Sequence, residues 1–252
     1  MSRDASHVGP GGVEGARHSA RDVRAYDLAI AAFEASEIPA IDRLEAFPRF
    51  TTKRSLARFL CRHDLYQRVL HVNGAIVECG VFNGSGLFTW AQLATIYEPV
   101  NYNRRIIGFD TFQGFPAVSE RDGQSREGDL RGESRTTLEL SIEKLDAERH
   151  LSHIPLVELV EGDFLQTGPA YLSDNPHLLV SLLYLDFDLY EPTKAALEIF
   201  LPRMSRGALV CFDELNCASY PGETEAMLEM FDLKRYAVRR FPTDPWISYI
   251  EL

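Results

Sequence analysis

Apolar and polar positions along this chain follow two different periods. Lys53 to Val72 places Leu56, Phe59, Leu60, Tyr66, Val69 and Leu70 at helical spacing, and Arg21 to Ser36 carries Val23, Leu28, Ala31 and Ala32 in a similar stripe. Pro39 and Pro48 break the stretch between them. From Gly74 onward, short apolar runs alternate with helical segments. Strands are expected at Ala75–Val81, Arg105–Phe109, Leu156–Val160, Leu178–Leu185, Gly207–Phe212, Tyr236–Phe241 and Trp246–Leu252. Helices are expected at Gly84–Tyr97, Thr136–His150, Pro192–Leu201 and Glu223–Phe231, the third with proline in its first turn. Alternation of this kind gives an α/β fold, a mainly parallel sheet with helices on both faces. The last two strands are joined by the turn residues Pro242 to Pro245, too short for a helical crossover, so that pair is antiparallel. The expected organisation is a flexible Gly-, Ser-, Arg- and His-rich tail over residues 1–20, an N-terminal helical cap over 21–73, and a seven-stranded domain over 74–252. Gln113 to Arg135 is a polar interruption, and loops this long are usually functional or disordered.

Composition narrows the classes. With 252 residues, 45% hydrophobic and 25% charged, the chain can build a large core without staples. A net charge of −11 weighs against a nucleic-acid partner. The four cysteines, Cys61, Cys79, Cys211 and Cys217, show neither CxxC nor zinc spacing. Cys79 and Cys211 lie in apolar strand runs, so buried thiols are expected, as suits a reducing cytoplasm. No segment approaches the roughly 20 apolar residues of a membrane helix, and the N-terminus lacks a signal-peptide core. The expectation is a cytoplasmic protein with no membrane partner.

The candidate chemistry sits at strand ends. LLYLDFDLYE, Leu182 to Glu191, ends its apolar run in Asp186 and Asp188, and the strand Gly207–Phe212 runs into Asp213 and Glu214. Carboxylates gathered in this way repel and raise one another's pKa unless a cation or proton offsets the charge. Oxygen-only ligands suit Mg²⁺, Ca²⁺ or Mn²⁺, and carboxyl ends of strands are where open α/β sheets bind ligands. If strand geometry persists, Asp186 and Asp188 share a face opposite Phe187. The competing reading of Asp188 is a cap for the helix starting near Pro192.

VECGVFNGSG, Val77 to Gly86, is a second candidate. Gly80, Gly84 and Gly86 permit tight turning and close approach, Ser85 offers a hydroxyl, and the following helix presents its N–H groups. The spacing is not that of a dinucleotide fingerprint, and a plain strand-to-helix turn is the bland reading. Glu78 inside an apolar strand needs a partner, which a ligand ammonium would supply. Asp110, ending the second strand in FDTFQGFP, is placed to accept from ribose hydroxyls, or else caps a turn. Asp163 in EGDF is placed for an adenine amino group, or is a turn residue. His63 and His71 read as structural, His150 and His153 as surface or capping groups. Arg121, Arg126, Arg131 and Arg135 would pair with a diphosphate or belong to a mobile solvated loop, two readings of equal weight.

From about Phe50 to Leu252, the chain resembles the macrocin O-methyltransferase (TylF-type) family of class I S-adenosylmethionine-dependent methyltransferases. The resemblance is carried by IVECGVFNGSG, GFDTFQGFP, LDFDLYEPTKAALE and FDELN followed by PGET, in that order. It is nearest to the branch acting on the 3-hydroxyl of nucleotide-linked 6-deoxyhexoses. It implies a Rossmann-like class I methyltransferase fold, a seven-stranded mostly parallel sheet with an antiparallel last strand. It also implies S-adenosyl-L-methionine and Mg²⁺ as cofactors and a small-molecule partner, a nucleotide-linked or glycosidic deoxysugar. Glu78, Gly80 and Ser85 would hold the methionine part of the cofactor, Asp110 its ribose and Asp163 its adenine. Asp186, Asp213 and Glu214 would bind Mg²⁺, and Asp188 would be the general base. Two departures stand out: many relatives carry two aspartates where this chain has Asp213-Glu214, and Gly where it has Phe187.

The chemistry is coherent without the family. A sugar hydroxyl is a poor nucleophile near neutral pH, and a metal on two adjacent hydroxyls would lower their pKa and orient them. A carboxylate outside the metal shell then takes the proton. A metal-dependent nucleotide-sugar glycosyltransferase or a phosphohydrolase would also use Asp-x-Asp, but neither accounts for Glu78 to Gly86 with Asp110. A non-catalytic binding module on the same fold gains nothing from clustered like charges. A homo-oligomer built on the N-terminal helices is a further expectation.

Overall fold

The computed structural model describes residues 19–252, so most of the expected tail lies outside the described residues. The chain divides into two compact units, one ending at Leu60 and the other Cys61–Leu252. In the first, α1 (Ala20–Glu34) is followed by two short helices, α2 (Ala40–Glu45) and α3 (Phe47–Phe50). The sequence pattern missed both, because Pro39 and Pro48 read as breakers. Pro39 is an N-cap and Pro48 lies in a first turn, where a missing N–H costs nothing. Phe33 packs edge-on to Phe50 at 5.5 Å, and Arg43 stacks over Phe33.

The second unit holds the sheet. Its strands are β1 (Ala75–Cys79), β2 (Ile106–Asp110), β3 (Val157–Glu161), β4 (Val180–Leu185), β5 (Met204–Phe212), β6 (Arg239–Arg240) and β7 (Ser248–Glu251). They lie in the order β3-β2-β1-β4-β5-β7-β6. Strands β1 to β5 pair in parallel, while β7 runs antiparallel to both β5 and β6. The seven-stranded sheet with its reversed final pair is therefore the expected one. Strand β6 is much shorter than Tyr236–Phe241, two exposed arginines at the sheet margin, a common way to blunt an edge.

Burial on both faces explains the near-continuous apolar strands. Every residue of β1 and β4 is buried. On one face Ile76, Leu182 and Tyr184 pack under α5 (Ser85–Tyr97) and the Cys61–Val69 part of the helix α4 (Lys53–Val69). On the other, Val77, Leu183 and Phe212 pack under α7 (Phe164–Asp174), α8 (Tyr190–Phe200) and α9 (Gly222–Met230). The remaining helix, α6 (Arg135–Glu148), follows the long loop. Helix α7 has no counterpart in the sequence reading: Gly168 and Pro169 inside it masked its period. All four cysteines are free and buried, as expected. Among the described residues no helix is long and apolar enough to cross a membrane.

Register brings the strand ends level. Cys79 is opposite both Phe109 and Leu185, and Leu185 is opposite Phe212. One residue further on, Gly80, Asp110, Asp186 and Asp213 form a row across the carboxyl edge. The ladder bonds continue into it, from Gly80 N–H to Phe109 O (2.9 Å) and from Asp186 N–H to Cys79 O (2.8 Å). Strand order reverses between β1 and β4, the switch point where such sheets open a crevice.

Gly80 is fixed by this geometry. Its φ is +95°, and a Cβ there would overlap the carbonyl of Asp186. Gly80→Ala is expected to destabilise the protein by about 3 kcal/mol or more, since the strain of positive φ adds to a clash with backbone that cannot swing away. Urea unfolding checks this; a change below about 1 kcal/mol would mean that the β1 and β4 ends separate easily.

Candidate active site

Unusual backbone gathers at the carboxyl edge. Phe82 (φ +50°), Phe112 (+55°), Asp188 (+60°) and Asn216 (+61°) follow β1, β2, β4 and β5 respectively, all non-glycine residues in the left-handed region. Each costs roughly 1–3 kcal/mol and persists only where surrounding structure over-determines it, typically at functional sites.

Acidic residues follow both β4 and β5. Asp188, Asp213, Glu214 and Glu223 are buried, and Asp186 is half-buried. Burial first, then the charges of Glu214, Asp186, Glu223 and Asp213, push the Asp188 carboxyl well above the ordinary aspartate range. The structure does not bear out two of the expectations about Asp188. Strand β4 stops at Leu185 and Asp188 turns left-handed, so strand alternation does not orient it. Nor does it cap α8: the N-cap is Leu189, without a side-chain bond. The Tyr190 N–H goes instead to Asp122 (2.6 Å), reached from the long loop. Phe187 packs on Phe164 of α7, rings 5.1 Å apart.

Asp213 accepts from the Tyr184 hydroxyl and lies 3.9 Å from the Arg62 guanidinium, which also stacks over the Tyr184 ring. Among the described residues, no three His, Cys, Asp or Glu side chains are gathered into a metal-holding group. Asp186, Asp213 and Glu214 stand at adjacent strand ends without converging. The donor chemistry nevertheless matches a hard cation: oxygen only, anionic, desolvated and dense in like charge.

Glu78 is turned inward, 2% exposed. It accepts from Trp90 Nε1 at 2.5 Å and from the Leu87 backbone N–H, and a Cβ at Gly86 would overlap its carboxylate. Gly86 thus lets the start of α5 sit on an acid. Desolvation raises the Glu78 pKa from 4.5 to about 7, against the lowering influence of Arg62. Between those values the folded state keeps a proton that the unfolded state releases, so stability falls as pH rises through this window. Wild type is expected to lose about 3 kcal/mol relative to Glu78→Gln between pH 4.5 and 8. Denaturant titrations at the two pH values check it, and parallel curves would place the folded pKa near 4.5.

Asp110 bears out its turn-cap reading. Oδ2 accepts from Val81 N–H (2.7 Å) and Phe82 N–H (2.9 Å), and Oδ1 accepts from Phe112 N–H (2.7 Å). The carboxylate ties the loop after β1 to the end of β2, with capacity left for a ligand hydroxyl, since a carboxylate has about four acceptor sites. Asp163 is the N-cap of α7, accepting from Leu165 N–H (3.0 Å). Ser85 is exposed at the first position of α5.

The 113–135 loop is anchored. Asp122 accepts from Ser119 and Tyr190. Arg121 lies 3.6 Å from the centre of the Tyr190 ring and pairs with Glu225 (2.7 Å) and Glu229 (2.8 Å). Arg135 pairs with Glu139 and Glu161. Of the four arginines proposed for a diphosphate, these two are already engaged, while Arg126 and Arg131 are exposed. His63 bonds to the Tyr97 hydroxyl (2.8 Å), and His150 and His153 are exposed. Sequence reasoning gave no role to Arg62, Asp122, Trp90, Tyr184 or Glu223. For Glu223 a signal existed, an acid inside the quoted PGET, but nothing local showed which way it pointed.

Known proteins are similar to this chain in sequence and fold. Residues 55–234 match the TylF macrocin-O-methyltransferase family. A curated relative from Streptomyces olivaceus, 8-demethyl-8-(2,3-dimethoxy-alpha-L-rhamnosyl)-tetracenomycin-C 4'-O-methyltransferase, is 33% identical over 147 residues, 57% of this chain and 53% of the relative. Demethyldecarbamoylnovobiocin O-methyltransferase from Streptomyces niveus is 26% identical over 65% of this chain and 61% of its own. The chain thus spans only half to three fifths of these curated relatives' length. The crystal structure of CalS11, calicheamicin methyltransferase, superposes with a TM-score of 0.88 at 34% identity over 93% of each chain. Its apo structure, described as a TDP-rhamnose 3'-O-methyltransferase, gives 0.81 over 93% of this chain and 95% of its own. With the family match covering residues 55–234 and the fold in agreement over 93% of the chain, this protein belongs to the TylF macrocin O-methyltransferase family.

Proposed function

We propose that this chain transfers a methyl group from S-adenosylmethionine to a deoxysugar hydroxyl in natural-product biosynthesis, the acceptor being the 3-hydroxyl of a nucleotide-linked 6-deoxyhexose. Family membership and the printed activities of the similar proteins support the class. The observation that carries the reading is Asp188, a buried carboxylate held in a strained conformation at the switch point, not used as a helix cap. S-adenosylmethionine supplies a methyl carbon on a sulfonium, which leaves as neutral S-adenosylhomocysteine. Asp110 would bind its ribose and Asp163 its adenine, while Gly80 and Ser85 line its methionine end. Glu78, turned inward, sets the charge of that wall. Asp186, Asp213 and Glu214 would hold Mg²⁺, whose chemistry there is Lewis-acid polarisation of sugar hydroxyls.

Asp188 takes the proton as the sugar oxygen attacks the methyl carbon; the C–O bond forms as the C–S bond breaks. Desolvation and neighbouring charge make its ionised form more basic than an ordinary aspartate, which favours proton transfer from a weakly acidic alcohol.

Calorimetric titration with S-adenosylhomocysteine, with and without Mg²⁺, tests the class, followed by incubation with S-adenosylmethionine and TDP-rhamnose. Micromolar binding and a methylated sugar nucleotide are expected. Absence of S-adenosylhomocysteine binding in either condition rejects the proposal.

A further inference from the structure

PGET, Pro221 to Thr224, opens α9 and has no role in the chemistry above. Glu223 is fully buried. Its Oε1 accepts from the Asp188 N–H (3.3 Å) and its Oε2 from the Glu214 N–H (3.2 Å). One side chain thus bridges the loops after β4 and β5, at the backbone of two candidate site residues. The residues beside it serve the same junction. Thr224 Oγ1 accepts from the left-handed Asn216 (2.9 Å). At Gly222 a Cβ would clash with the Tyr190 nitrogen and Asp122, so the starts of α8 and α9 meet there.

A carboxylate is a costly choice for this place, since Asp213 and Glu214 are close enough to repel it. The two backbone N–H groups favour its ionised form, which alone offers two acceptors and no donor. Gln has one acceptor and would point an NH₂ at a backbone N–H, and Asp is a methylene too short to span both loops.

We infer that Glu223 is a positioning residue for methyl transfer: by accepting from both loops it fixes the left-handed turn at Asp188 and the register of that carboxylate against Glu214. The inference rests on the reading of Asp188 as the base. Glu223 hydrogen-bonds backbone N–H groups, so its effect is on placement, and a displacement of about 1 Å at a reacting group costs on the order of 100-fold.

Glu223→Gln, assayed with S-adenosylmethionine, Mg²⁺ and TDP-rhamnose, is expected to lower kcat about 100-fold. KM and S-adenosylhomocysteine affinity, measured well below the melting transition, should stay near wild type. Glu223→Asp should fail to rescue. A merely structural residue would lower the melting temperature and spare kcat of the folded fraction. Asp188→Asn is run beside it. If Asp188→Asn is inactive while Glu223→Gln keeps kcat within about threefold, the positioning role is overturned and the base assignment stands. If Asp188→Asn is fully active, the base assignment itself has failed, and the positioning role with it. Should Glu223→Gln not fold, Thr224→Val, which releases Asn216 from the same turn, is expected to lower kcat about tenfold at unchanged S-adenosylhomocysteine affinity. Unchanged kcat there overturns the inference.

Discussion

Asp188→Asn is expected to lower methyl transfer to TDP-rhamnose by about 10³-fold, within the range a positioned general base contributes. The amide keeps the volume and the backbone of Asp188, including its N–H to Glu223, but cannot take a proton. S-adenosylhomocysteine and Mg²⁺ affinities should stay close to wild type. Stability at neutral pH should hold or rise, because the substitution removes a carboxyl that burial and four neighbouring carboxylates disfavour as an anion. Asp186→Ala gives the contrast: turnover is lost together with Mg²⁺ affinity. Isothermal titration with Mg²⁺ on both variants separates the roles. Equal loss of metal affinity would show that both aspartates ligate, and some other group would then have to accept the proton.

The fold was legible because its cause is periodic. Strands buried on both faces must read as apolar runs, and β1, β4 and the 208–212 part of β5 do. What the pattern missed has local causes: a helix carrying Gly168 and Pro169, and two short helices tolerating Pro39 and Pro48 at their starts. The site was legible for residues that strands deliver to the carboxyl edge, since Asp110, Asp186 and Asp213 follow from strand ends alone. It was illegible wherever a side chain acts at a distance in sequence. Asp122 serves Tyr190, and Glu223 serves Asp188 and Glu214. Glu78 marked a buried acid that needs a partner, but Trp90, twelve residues on, could be recognised as that partner only once α5 lay across β1.

Asp110→Ala is expected to weaken S-adenosylhomocysteine binding by about 30-fold, the loss of one charge-assisted bond to a ribose hydroxyl at about 2 kcal/mol. The same change removes the acceptor for the Val81, Phe82 and Phe112 N–H groups. A fall in stability of about 3 kcal/mol is therefore expected as well. These two effects share a cause but separate by experiment. Calorimetry is done well below the unfolding transition, so that the folded population is complete, and Asp110→Asn is measured alongside. The Asn amide oxygen can replace one carboxylate oxygen but not both, because its NH₂ would face backbone donors. If Asp110 binds the ribose, the Asn and Ala variants both lose affinity, and Asn recovers only part of the stability. If Asp110 serves the loops alone, affinity follows stability: the variant that refolds the Val81–Phe82 turn binds like wild type, and the ribose must find its acceptor elsewhere on the carboxyl edge.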